Sequence, residues 1–179
     1  ETGKRPVKEH AAPPKPVLAF RIGVTGHRSS RLDPGQIERI DEQVRSVLEI
    51  ASHSVEAARR RYDREYEDAA PIHYFVSALA DGADTLAAKR ALEAGWRLLS
   101  PLPFSAESYA RDFSGEDRKE FEAMLEAADS VAELDGVRDS PLTEERAYLQ
   151  AGLVTVDQSD VMIAIWDGEE ARGVGGTAM

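Results

Sequence analysis

Apolar and polar positions along this chain follow two alternating periods. From Leu18 onward, short apolar runs of strand length are separated by stretches in which apolar residues recur every three or four positions. The runs are AFRIGVT (19–25), IHYFVSA (72–78), WRLLSPL (96–102), SVAEL (130–134) and DVMIAIW (160–166), the last being the most apolar. After the first run, Ile37, Ile40, Val44, Leu48, Ala51, Val55 and Ala58 form one stripe on a long helix. DPGQ opens it, with Asp33 as N-cap, Pro34 at the first helical position and Gln36 closing a capping box. A second helix runs to about Gly95, which stops it; Asp84 reads as its cap, and Asp81 as a cap or a hydroxyl acceptor. SAESYARDF predicts a short helix, and Ser114 with Asp117 a capping box before Phe121, Leu125 and Ala128. Thr143 caps a helix carrying Leu149, Leu153 and Val156, and Thr177 opens a further one.

Strand alternating with helix predicts an α/β fold: a Rossmann-like three-layer sandwich, its mostly parallel sheet of five to seven strands covered by helices on both faces. Residues 18–179 form this domain. Residues 1–17, proline-rich and basic after an ETG tag remnant, read as a linker arm. In such sheets ligands bind at the carboxyl ends of the strands, near the point where strand order reverses. That rule selects the loops 26–33, 77–84, 101–105 and 167–177.

Composition narrows the chemistry. Among 179 residues there is no cysteine, which removes thiol nucleophiles, disulfides and cysteine-based zinc sites. A net charge of −11 opposes nonspecific binding to duplex nucleic acid. Arg59, Arg60, Arg61 and Arg64 cluster, but Glu56, Asp63, Glu65, Glu67 and Asp68 are interleaved, which is the pattern of a solvated, ion-paired face. No apolar run reaches the length of a membrane span and no secretory h-region opens the chain, so the expected location is the cytoplasm, without membrane contact. No P-loop lysine motif, no G-x-G-x-x-G after the first strand and no G-x-S-x-G elbow is present.

The selected loops carry anion-binding residue types. Gly26 turns the chain after the first strand, and His27 and Arg28 follow; a guanidinium suits phosphate or carboxylate. His27 has no second histidine or carboxylate at ligand spacing, so no metal site is expected. Ser77 and Ala78 allow close approach, and Asp81 and Gly82 stand at a helix entry whose amides carry partial positive charge. Gly173, Gly175 and Gly176 can bare successive N–H groups, with Thr177 adding a hydroxyl. Trp166 and Asp167 flank this last loop at the strand end.

Together, IGVTGHR, SALADGADTLAAKRAL and SDVMIAIWDGEEARGVGGTAM resemble the SLOG superfamily of Rossmannoid domains, which joins DNA-processing protein A (Smf) and the LOG-type enzymes. The middle segment is similar to the S-G-x-A-x-G-[IA]-D stretch of the DNA-processing proteins, with Ala78 in place of glycine. The resemblance spans about residues 18–179. It implies a nucleotide or nucleotide-derived ligand, ADP-ribose-like or cyclic, with the GGT loop on its phosphate. It also implies a sensor domain in the manner of bacterial defence proteins, in which a fused effector module or a homo-oligomer is the expected partner. No other cofactor is implied. The alternatives are a LOG-type phosphoribohydrolase cleaving nucleoside monophosphates, whose P-G-G-x-G-T-x-x-E glutamate would lie beyond Met179, and single-stranded DNA binding.

Overall fold

The computed structural model describes residues 13–168. Five strands, β1 (Ala19–Gly26), β2 (Ile72–Val76), β3 (Arg97–Leu102), β4 (Ser130–Glu133) and β5 (Val161–Ile165), form one sheet. Between them lie α1 (Ile37–Arg61), α2 (Ala83–Glu93), the single turn α3 (Ala106–Tyr109), α4 (Gly115–Ala127) and α5 (Pro141–Asp157). The strand order is β4-β3-β2-β1-β5 and every pairing is parallel, so this is a Rossmann-like α/β sandwich. The order reverses between β1 and β5. Right-handed crossovers place α1, α2 and α4 on one face and, after the reversal, α5 on the other. α1 packs on α2 and α2 on α4, whereas α5 touches β1 and β3.

The core follows the helical stripes. Val44, Leu48 and Val55 of α1 are buried, with Ile40 and Ala51 packed against the core, while Ile37, at the head of the predicted stripe, is exposed. Ala83, Ala87, Ala88 and Ala91 let α2 lie close on the sheet beside Ile22, Phe75 and Leu98. At the carboxyl end of β3 the chain adds an aromatic cluster. Phe113 and Phe121 stack with centroids 4.5 Å apart, and Tyr109 meets Phe121 edge-on at 5.4 Å.

Several local expectations are corrected. Asp33 accepts from Gly35 N–H and caps a 3₁₀ turn, Pro34–Gln36; α1 then starts without a side-chain cap, because the turn already satisfies the entry. Ser114 precedes α4 without capping it. The capping box of α5 belongs to Ser140, with Pro141 at the first position and Thr143 as its third member rather than its cap. The buried face of α5 is Ala147, Ala151 and Thr155; Leu153 and Val156 are exposed, and small residues allow the helix to seat on the sheet instead. β5, the most apolar run, lies at an edge and leaves Val161 exposed. Thr177 lies outside the described residues.

Near the arm, Glu67 N–H donates to Pro16 O and Lys15 Nζ to Asp63 O, which ties residues 15–16 to the turn after α1. That turn lies at the amino end of the sheet. The arginines at the end of α1 are therefore a helix length of about 37 Å from the carboxyl-end loops. Arg59 pairs with Asp68, and Arg61 lies over the Tyr62 ring.

Candidate functional site

The reversal of strand order opens two cavities at the carboxyl end of the sheet, one on each face. The cavity on the α5 face measures about 360 Å³ and is walled by the end of β1 (Thr25, Gly26, Arg28), the β2–α2 bend (Ala78, Ala80, Asp84), Tyr109 of α3 and Tyr148 of α5. The cavity on the α1 face measures about 370 Å³ and takes His27, Arg31, Val44, Ile163, Trp166 and Asp167. The expected site residues are thus divided. Gly26, Arg28 and Ala78 share the first cavity, while His27, Trp166 and Asp167 share the second. Gly173, Gly175 and Gly176, like Thr177, lie outside the described residues.

Residues 26–28 connect the two faces. A Cβ on Gly26 would stand 2.4 Å from Ala83 Cβ and 2.9 Å from Ile165 O, so only glycine allows β1, β5 and the start of α2 to converge. His27 N–H donates to Ile165 O at 3.2 Å, and its carbonyl accepts from Ala83 N–H at 3.0 Å. Its ring is buried, with Nε2 3.2 Å from the Asp167 amide and 2.9 Å from Asp167 Oδ1. Arg31 Nη2 donates to Asp167 Oδ2 at 2.7 Å.

The start of α2 has fewer open amides than expected. Ala83 N–H is taken by His27 O, Thr85 N–H by Ala80 O and Leu86 N–H by Gly82 O. Gly82 has φ +94°, and a Cβ there would lie 2.4 Å from Ser29 N, so the helix start is pressed against the first loop. Asp81 does not cap α2. It accepts from Ser29 N–H at 3.3 Å and Ser29 Oγ at 2.5 Å, and so fastens the two loops together. Ser77 is buried; its hydroxyl accepts from Leu79 N–H and donates to Asp84 O, which holds a bend where Leu79 has φ +56°.

In the α5-side cavity the charges are arranged by depth. Arg28 is half-exposed at the mouth, 3.5 Å from Asp81 Oδ1, with its guanidinium carbon 5.4 Å from the Tyr148 ring centroid. Burial works against its charge, but Asp81 and the two tyrosines hold its pKa above the ordinary arginine value. Asp84 is buried in the first turn of α2 and is likewise no cap. Burial pushes its carboxyl up to about 7, despite the Ala80 amide bonded to it and the Arg28 charge. Burial also raises Tyr109. Tyr148 donates to Asp112 Oδ2 at 2.6 Å, and Arg138 Nη2 holds Asp112 Oδ1 at 2.8 Å, so the Tyr148 ring is fixed from behind.

Sequence reasoning missed Tyr109 and Tyr148 and read Asp84 as a cap. For Asp84 a signal existed: positions 84, 87, 88 and 91 share one helix face, and the other three are alanines. An acid on the apolar face of its helix is a buried acid. For the tyrosines no signal existed, because each comes from a different crossover.

The fold and the paired cavities define a Rossmann-like domain with a ligand-sized crevice at its strand-order reversal. No family model matches the chain, and no curated protein matches it. Among solved structures it is similar to the X-ray structure of TM1055, a Northeast Structural Genomics Consortium target, at 13% identity and a TM-score of 0.45. The match covers 82% of this chain and 60% of TM1055, so the chain spans less than two thirds of that protein's length. Among the described residues no helix is long and apolar enough to cross a membrane.

Proposed function

We propose that this domain binds a nucleotide or nucleotide-derived ligand, of the ADP-ribose or cyclic type, in the α5-side cavity. One observation carries the reading. At the carboxyl ends of β1 and β2 a ligand-sized cavity places a guanidinium at its mouth, an aromatic ring beside it and a buried carboxyl in its wall. Arg28 suits the ligand's phosphate because it is itself half-exposed and meets its present partner, Asp81, only at 3.5 Å, and exposed pairs contribute only about 0–1 kcal/mol. Exchanging Asp81 for a phosphate therefore costs little. The likeness of the loop sequences to the SLOG superfamily supports the same ligand class, with the glycines 173, 175 and 176 on the phosphate. Isothermal titration against ADP-ribose, cyclic and linear nucleotides tests the proposal. A folded sample that binds none of them overturns it.

A second reading, a phosphoribohydrolase acting on nucleoside monophosphates, is favoured by Asp84. A carboxyl that keeps its proton near neutrality inside the cavity has the property required of a general acid for a departing base. Incubation with nucleoside monophosphates and chromatography for free base is the test, and absence of free base removes this reading.

A further inference from the structure

Outside ordinary packing lie the two cavities, the Arg138–Asp112–Tyr148 chain and the arginines at the end of α1. Asp84 stands apart because it is a buried, charge-capable side chain in the wall of a cavity, where among the described residues the Ala80 amide bonds to it. A carboxylate has about four acceptor positions, so one amide leaves it able to accept from a ligand. Arg28 at the mouth supplies the opposite charge.

We propose that this cavity takes its ligand between two groups of opposite kind: Arg28 holds the anionic group, and the Asp84 carboxylate accepts hydrogen bonds from the ligand's hydroxyl or amine groups. The proposal rests on the nucleotide reading above and specifies its chemistry: a phosphorylated sugar or nucleoside that carries hydrogen-bond donor groups besides its phosphate.

The physical reason is competition for the oxygen atoms. A protonated Asp84 has given one acceptor position to its own proton, and only the ionised form accepts from several ligand donors. The groups that face it set the balance. Arg28 after β1 favours the ionised form. Asp81, before α2, opposes it, and Tyr109 of α3 is neutral, with Tyr148 of α5 neutral beyond it. An anion that merely neutralised Arg28 would remove the favourable charge and make Asp84 take up a proton. The direction of proton transfer therefore distinguishes a ligand that reaches Asp84 from one that stops at Arg28.

The test is titration of the full chain with ADP-ribose, whose pyrophosphate does not titrate near neutrality, in buffers of different ionisation enthalpy. With the carboxyl near 7, binding should tighten about tenfold between about pH 6 and about pH 8, with nearly one proton released per ligand at the lower pH. Asp84→Asn should bind more weakly than the wild type at about pH 8, release no proton and lose the pH dependence. A urea melt confirms that it is folded. Proton uptake or no exchange in the wild-type protein, or unchanged release in Asp84→Asn, overturns the proposal while leaving the nucleotide reading standing. Failure to bind ADP-ribose also overturns it, whereas the broader reading falls only if every nucleotide in the panel fails.

Discussion

Replacing Asp84 with asparagine should flatten the pH dependence of stability. The folded protein holds this proton more tightly than the unfolded chain does, since the carboxyl rises from 3.8 to about 7 on burial. Stability is therefore lost as pH rises from about 4 to about 7, and the loss is complete above that window. At about 1.4 kcal/mol per pH unit, the full penalty is about 4 kcal/mol. Between about pH 5 and about pH 8 the wild type should lose about 2.5 kcal/mol that the variant keeps. Asparagine matches the shape and keeps an acceptor for the Ala80 amide. Every other titrating group is common to both proteins, so the difference between the two pH profiles isolates Asp84. Urea unfolding of both proteins at the two pH values, with the slopes checked for equality, measures it. Parallel profiles would refute the reasoning, because they would mean that Asp84 is ionised in the folded state at all these pH values.

Three further outcomes follow from the same geometry. Arg28→Ala should weaken ADP-ribose binding by about 1.5–3 kcal/mol, the range for a charge-assisted hydrogen bond, yet leave the melting temperature of the unliganded protein nearly unchanged; lost folding would assign Arg28 a structural role. Gly82→Ala should destabilise by at least about 1–3 kcal/mol from the positive φ alone, and by more because the new Cβ meets Ser29 N; a thermal melt matching the wild type would show that the helix start is not held where the structure places it. Tyr148→Phe removes the bond to Asp112 and should cost about 1 kcal/mol in a urea melt, with ligand affinity reduced by less than in Arg28→Ala, since the ring beside the guanidinium remains.

Periodicity made the architecture legible. The five apolar runs became five parallel strands, and the α1 stripe buried Val44, Leu48 and Val55 as its spacing required. Gly26 was legible as a tight turn because a glycine closing a strand has few other uses. What failed was whatever depends on the partner rather than the segment. Asp33, Ser114 and Thr143 all carry cap chemistry, but a cap is decided by which residue the chain bends at, and a 3₁₀ turn or a neighbouring serine takes the role at no cost in sequence pattern. His27 and Arg28 are adjacent in sequence and were read as lining one pocket. Successive residues of an extended segment point to opposite faces, and at the end of a central strand the two faces carry different cavities.

The placing of Asp84 on an otherwise alanine-lined helix face bears on function. Alanine occupies the equivalent positions at 87, 88 and 91 on the same face of α2, so the fold accepts a small apolar residue there. A carboxyl that burial raises to about 7, against the pull of Arg28, works against stability as pH rises toward neutrality. Buried acids of this kind, in the wall of a cleft, mark places where stability yields to chemistry. Gly82 points the same way: its strained backbone brings the start of α2 against residues 27–29, which fixes Asp84 on the wall and Arg28 at the mouth of one cavity. The geometry that lowers stability at both residues is the geometry that puts a guanidinium and a buried carboxyl in the lining of one ligand-sized cavity.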